Sequence, residues 1–181
     1  MANFPVTLIL GGARSGKSSF AEKLALKSEK KPFYIATAEA RDDEMVRRIN
    51  QHQSRRDERW LTIEEPLKID EIIDQRAHPE NILVVDCLTL WLSNIMCRDN
   101  NVMTHIIGLV SCLENIKGPI IFVANEVGLG IVPENDLARA FRDEAGRLNK
   151  AVASVASDVI FMAAGLPMAM KKSGKMVSEY L

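Results

Sequence analysis

The chain reads as a single α/β domain, a mostly parallel sheet with helices on both faces, and three observations carry that expectation. Short apolar runs recur at Val6–Leu10, Phe33–Ala36, Ile82–Val85, Ile120–Ala124 and Val159–Ala163. Each is mostly apolar at consecutive positions rather than alternating, the pattern of strands buried on both faces. Polar or amphipathic stretches of helical length separate the runs, an order that calls for right-handed crossovers in a layered fold. Across 181 residues there is no internal repeat, low-complexity tract or Gly/Ser/Pro-rich linker, so residues 1–181 are expected to form one domain.

Each element has a local cause. VTLIL leads into a glycine-rich turn, and Lys17 to Ser28 after it carries Phe20, Leu24, Ala21 and Ala25 on one side of a helix. Asp43 to Arg56 groups Met45, Val46 and Ile49 with charge elsewhere, a second helix. The run Ile82–Val85 ends in Asp86, and another helix is expected to begin near Leu88. Glu134 to Ala156 is the longest helical stretch, with Leu137, Phe141, Ala145, Leu148 and Val152 at steps of three and four. Pro133 before it and acids in its first turn suit a helix start. Residues 173–181 are expected to be a loosely ordered or exposed tail. Trp91 with Met96, and Met162 with Met168 and Met170, read as core or subunit packing rather than a cofactor box.

Charge and hydropathy exclude several function classes. With 23 Lys and Arg against 24 Asp and Glu the net charge is −1, which argues against a dedicated binder of nucleic acid or anionic membrane. The best apolar stretch, Ile82–Leu92, is interrupted by Asp86 and falls short of the roughly 20 residues of a membrane span. MANFPVTLIL lacks the basic region and cleavage site of a secretory leader. Cys87, Cys97 and Cys112 are odd in number, lack metal-ligand spacing and read as reduced thiols, so a cytoplasmic location is expected.

The strongest chemical signal is Gly11-Gly12-Ala13-Arg14-Ser15-Gly16-Lys17-Ser18, between an apolar strand and a helix. This is the phosphate-binding loop pattern in its proper context, and it makes the domain a P-loop NTPase. Glycines let successive amides face phosphate oxygens, and the next helix presents its own N-terminal amides to the same anion. Lys17 would reach the β- and γ-phosphates, and the Ser18 hydroxyl would ligate Mg²⁺. Asp86, at the carboxyl edge of the sheet, lies where such a site places its metal-organising carboxylate; a helix-capping role is the alternative. Cys87 and Leu88 come next, so no adjacent glutamate activates water, which leans toward transfer rather than hydrolysis. An Asn-Lys-x-Asp guanine-specificity tetrad is absent.

Arg48, His52, Arg55 and Arg56 fall at three- and four-residue offsets and are expected on one helix face. Neighbouring cations favour a neutral imidazole, which is a competent nucleophile toward phosphorus while arginines hold the phosphate. On pattern alone, a solvated face with an inert histidine accounts for these residues better. Asn125 to Asn135 (NEVGLGIVPEN) comes after a buried strand and reads as an ordered loop, either a plain crossover or a substrate contact.

Taken together, GGARSGKS, YIATAEARDDEM, RINQHQSRR with Trp60 beyond it, VVDCLTLWLSN and NEVGLGIVPEN…LARAFRDEAGRLN resemble the bifunctional adenosylcobinamide kinase / adenosylcobinamide-phosphate guanylyltransferase family of cobalamin assembly, from about Thr7 to Lys171. The resemblance implies a RecA-like fold and a homotrimer. It implies phosphorylation of the aminopropanol hydroxyl of adenosylcobinamide by ATP or GTP, then GMP transfer from GTP to that phosphate. The guanylylated histidine would be His52, with Lys17 serving catalysis. Nucleotide contacts would fall on Gly11, Gly12, Ala13, Arg14, Ser15, Gly16, Lys17 and Ser18, on Ala36, Thr37 and Ala38, on Gln53, Ser54, Arg55 and Arg56, on Glu64 and on Asp86. Mg²⁺ would be held by Ser18 and Asp86. Some members carry a second histidine before the reactive one; here it is Gln51. Two other readings stay open at this point: a small-molecule kinase without the transferase step, and a RecA-like nucleotide switch using Glu39 after the second strand as its water-activating acid.

Overall fold

The computed structural model describes residues 4–40, 42–54, 56–98 and 101–177, with the side chains of Arg48, Gln51 and His52 outside that description. Eight strands form one sheet: β1 (Val6–Gly11), β2 (Lys31–Ala36), β3 (Leu61–Glu64), β4 (Asn81–Asp86), β5 (Ile120–Asn125), β6 (Asp158–Ala163), β7 (Leu166–Lys172) and β8 (Lys175–Met176), in the order β3-β2-β4-β5-β1-β6-β7-β8. The first six run parallel, and β7 and β8 add antiparallel at one edge. All five apolar runs of the sequence are strands of the parallel part.

Among the described residues six helices connect them: α1 (Lys17–Leu26), α2 (Asp43–Gln53), α3 (Ile69–Arg76), α4 (Leu88–Arg98), α5 (Val102–Glu114) and α6 (Asp136–Val155). Helices α3 to α6 cover one face, where Trp91, Leu92, Ile95, Leu109 and Leu148 pack on Leu8, Leu83, Val85 and Phe122. On the other face Ala21 and Ala25 of α1, with Trp60, close over Ile9, Tyr34, Val84 and Val123. Burial on both sides is why the central strands are mostly apolar at consecutive positions. Met162 and Trp91 are core residues, whereas Met168 and Met170 are exposed on β7.

Two helix boundaries differ from expectation. Helix α2 stops at Gln53 with Ser54 as its C-cap, so Arg56 lies beyond the helix and not on a face shared with His52. The reason is packing: the Arg56 guanidinium turns inward onto Tyr34. Helix α6 begins at Asp136, later than Pro133 suggests, because the Asn135 side chain caps it by accepting from the Ala138 amide at 2.7 Å. Residues 173–177 form a turn and the two-residue β8 and are exposed; residues 178–181 lie outside the described residues.

Strand register decides what meets at the carboxyl edge. Ala36 pairs with both Glu64 and Asp86, while Gly11 pairs with Asn125 and Met162. Glu64, Ala36, Asp86, Asn125 and Gly11 therefore end neighbouring strands along one side of the sheet, where open α/β folds bind ligands.

Candidate functional site

The phosphate loop is built into this edge by backbone contacts from both sides. Gly11 has φ 151°, and an added Cβ there would come within 2.4 Å of the Met162 carbonyl oxygen and 2.9 Å of Ser15 Oγ. Only glycine fits where the chain leaves β1 against β6. Gly16 at φ 94° turns the loop into α1, and a Cβ there would sit 3.6 Å from the Gly165 Cα. The Gly165 amide, in the β6–β7 turn, donates to the Ser15 carbonyl at 3.2 Å, and the Glu126 amide donates to Gly11 O at 3.0 Å. The buttressing by Met162 and Gly165 was invisible in the loop motif, since it comes from some 150 residues away in the chain.

Lys17 is buried, and its Nζ donates to Gly12 O at 2.6 Å and to Ser15 Oγ at 3.4 Å. Burial lowers its pKa, partly opposed by Cys87 and the negative charge of Asp86. Ala13 and Arg14 at the loop tip are exposed, with Arg14 in the left-handed region at φ 56°. Ser18 is the second residue of α1, half-buried.

At the end of β4, Asp86 Oδ2 accepts from the Tyr34 hydroxyl at 2.7 Å. Burial and the facing carboxylate push that hydroxyl's pKa far up, so Tyr34 is a permanent donor. The peptide bond Asp86–Cys87 is cis. Thr37 is fully buried beside it: its hydroxyl donates to Cys87 O and accepts from Cys87 N, both at 2.8 Å, and its amide donates to Asp86 O at 3.2 Å. Asn94 Nδ2 donates to Thr37 O at 2.8 Å. Thr37 thus fixes the strand ends, while Ala36 and Ala38 flank it half-buried. The Cys87 thiol is pushed up to about 12 by burial and is an inert core group.

Helix α2 has no buried side chain among those described. It is capped by Asp42, which accepts from the Met45 amide at 2.7 Å, and it is anchored through the segment beyond its C-terminus. The Arg56 guanidinium stacks 3.7 Å from the Tyr34 ring centroid and lies 3.9 Å from Glu22 of α1. Trp60 meets the same ring edge-on at 6.0 Å. Gln53 Nε2 donates to Glu64 Oε1 at 3.3 Å, both exposed at the edge. His52 is the penultimate residue of α2; its side chain, like that of Arg48 and the whole of Arg55, lies outside the described residues. Glu39 is in an ion pair with Arg98 at the end of α4, and so commits its carboxylate to an arginine instead of water. Among the described residues no three His, Cys, Asp or Glu side chains gather as a metal cluster. The hydroxyl of Ser18 and the carboxylate of Asp86 are hard oxygen donors few in number, which fits an Mg²⁺ that keeps water and phosphate oxygens as its other ligands.

Residues 7–170 match the family described as Cobinamide kinase / cobinamide phosphate guanyltransferase. The chain is 48% identical over 166 residues to the bifunctional adenosylcobalamin biosynthesis protein CobP of Pseudomonas aeruginosa, covering 91% of this chain and 96% of that one. It is 35% identical over 179 residues to the bifunctional adenosylcobalamin biosynthesis protein CobU of Escherichia coli, covering 91% and 98%. Among solved structures, a prototypical ATPase from the type III secretion system of pathogenic bacteria superposes with TM-score 0.54 at 16% identity, over 91% of this chain and 56% of that one. The fold is that of the RecA-like P-loop ATPases. No helix among the described residues is long and apolar enough to cross a membrane. The chain, with its phosphate loop clasped by β6, belongs to the cobinamide kinase / cobinamide phosphate guanyltransferase family of adenosylcobalamin biosynthesis.

Proposed function

We propose that both reactions run at the carboxyl edge of the sheet, with His52 as the covalent carrier of GMP. In the first, ATP or GTP lies on Gly11–Ser18 and the aminopropanol hydroxyl of adenosylcobinamide attacks the γ-phosphorus. A new P–O bond forms, the bond to the β-phosphate oxygen breaks, and the hydroxyl proton leaves to solvent. In the second, a His52 imidazole nitrogen attacks the α-phosphorus of GTP. A P–N bond forms, pyrophosphate departs, and the imidazole gives up its N–H proton. The phosphate oxygen of adenosylcobinamide phosphate then attacks that phosphorus, and the P–N bond breaks to give adenosylcobinamide-GDP and free histidine. Splitting one exchange into two displacements is the advantage of the covalent route.

Lys17 neutralises charge on the departing or transferring phosphates, and the amides of Gly12 to Ser18 cradle them. Mg²⁺ held by Ser18 and Asp86 would draw negative charge from the phosphate oxygens. Ala36, Ala38, Gln53, Ser54, Arg55 and Glu64 are the remaining nucleotide contacts, while Thr37, fully buried and hydrogen-bonded to Cys87, holds the strand ends behind them. Arg56, turned inward here, supports the site from beneath, and Gln53 and Glu64 are already paired at its rim. The observation that supports this reading is convergence: Gly11, Ala36, Glu64 and Asp86 end neighbouring strands on one edge of the sheet, and Gln53 pairs with Glu64 there. A homotrimer is the assembly that the family resemblance implies, and the exposed apolar side chains at Leu129, Ile131, Leu137 and Leu166 support a surface covered between subunits.

The test uses GTP labelled at the α-phosphate. The wild-type protein is expected to take up label through an acid-labile, base-stable bond, and His52→Ala is expected to lose both label and guanylylation while keeping the kinase step. Label retained by His52→Ala would remove the histidine from the mechanism.

A further inference from the structure

Tyr34 stands between two parts of the site that are far apart in sequence. It is 3% exposed, between Phe33 and Ile35 in the middle of β2. Its hydroxyl donates to Asp86 Oδ2 at 2.7 Å, and its ring carries the Arg56 guanidinium at 3.7 Å. The Arg56 side chain is only 4% exposed, yet its Nε and Nη1 have no hydrogen-bond partner among the described residues. A guanidinium buried without its hydrogen bonds is costly, and a core of ordinary apolar residues would serve packing better. What Arg56 gains there is the π face of one phenol and a long ion pair with Glu22 at 3.9 Å, and what the phenol gains is a fixed plane. Trp60, edge-on at 6.0 Å and 83°, closes the remaining side of the ring.

We propose that Tyr34 is a positioning residue for both transfers: held between Arg56 and Trp60, it aims its hydroxyl at Oδ2 and so sets the carboxylate plane of Asp86. A carboxylate with one oxygen tied to a fixed donor cannot rotate freely about its last bond, and its other oxygen is presented in a constant direction. Groups that orient a metal ligand in this way typically change metal affinity by roughly 10- to 100-fold when removed. The inference rests on the reading of Asp86 as the carboxylate that holds Mg²⁺, and it predicts a defect in metal use with little change in metal-free nucleotide binding.

The experiment titrates Mn²⁺, followed as the free ion by electron paramagnetic resonance, into the protein bound to a non-hydrolysable GTP analogue. Tyr34→Phe keeps the ring and its stack and is expected to bind Mn²⁺ about tenfold more weakly, with analogue affinity in EDTA unchanged. Asp86→Asn is expected to lose at least as much. If Asp86→Asn weakens Mn²⁺ and Tyr34→Phe does not, the role given to Tyr34 is wrong and the metal reading stands. If Asp86→Asn binds Mn²⁺ like wild type, the metal reading itself fails. A second measurement does not depend on the folding of a variant at Tyr34. The chain has two tyrosines, so fluorotyrosine labelling gives two ¹⁹F resonances, and Tyr180→Phe identifies which belongs to Tyr34. That signal is expected to shift when Mg²⁺ joins the analogue complex and to shift again in Arg56→Met; a signal indifferent to Mg²⁺ overturns the proposal.

Discussion

The Lys17 ammonium lies 2.6 Å from the carbonyl oxygen of Gly12, a partner within its own loop. The contact satisfies a charge that burial has stripped of water, and burial is the leading cause of the lowered lysine pKa. The folded-state pKa is below the unfolded 10.5, so between the two values the unfolded chain binds more protons. Stability therefore rises with pH through that window, and at neutral pH the charged lysine is a cost to the empty protein. Lys17→Met is expected to leave the nucleotide-free melting temperature unchanged or to raise it, by about 2–4 °C for each kcal/mol relieved. The same substitution should abolish the rise in melting temperature that GTP and Mg²⁺ give wild type. Thermal scans with and without nucleotide check both halves, and a fall in the nucleotide-free value like that of a core truncation would refute the first.

Gly118 precedes β5 at the opposite edge of the sheet, against the backbone of His78. An added Cβ would lie 2.4 Å from His78 O, 2.5 Å from His78 N and 2.7 Å from His78 C. These are main-chain atoms in the approach to β4, so they cannot swing aside as a side chain would. Gly118→Ala is expected to destabilise by about 2–4 kcal/mol, seen as a lower urea midpoint with an unchanged slope. Because the strain falls at the amino ends of the strands, kinase and transferase rates of the folded variant should stay near wild type.

The central strands were legible because burial on both faces leaves a contiguous apolar mark. That signal fails at the sheet edges. Strand β3 exposes Leu61, Thr62 and Glu64 and pairs only with β2, while β7 is exposed at nearly every position and contains Pro167. Helices α3 and α5 did carry a signal, with Ile69, Ile72 and Ile73 in one and Ile106, Leu109 and Leu113 in the other at helical spacing. The phosphate loop and Asp86 were readable because each is a contiguous motif whose neighbours announce its setting. Tyr34 was not, since it sits in an apolar run and its partners, Arg56 and Asp86, are distant in the chain. The end of α2 was overrun for the same reason: the charge pattern continues through Arg56, but the side chain is claimed by a ring on β2.

The segment between β5 and α6 presents Leu129 at 81%, Ile131 at 97% and, at the start of α6, Leu137 at 72% exposure. It is nonetheless ordered by its own contacts: the Gly128 amide donates to Glu126 Oε1 at 2.6 Å, and Arg139 donates to Pro133 O at 2.9 Å. Contiguous apolar groups held out in this way mark a surface that something covers. A charge placed at Ile131 would cost the isolated chain almost nothing, because the side chain touches little, but it would be expensive inside an interface. Leu129→Glu with Ile131→Glu is therefore expected to convert a trimer to a monomer in sedimentation velocity, with the far-ultraviolet circular dichroism unchanged. Should the variant keep the wild-type mass but show a raised KM for adenosylcobinamide, the segment covers substrate rather than a second subunit. Unchanged mass together with unchanged KM would leave this surface with neither role.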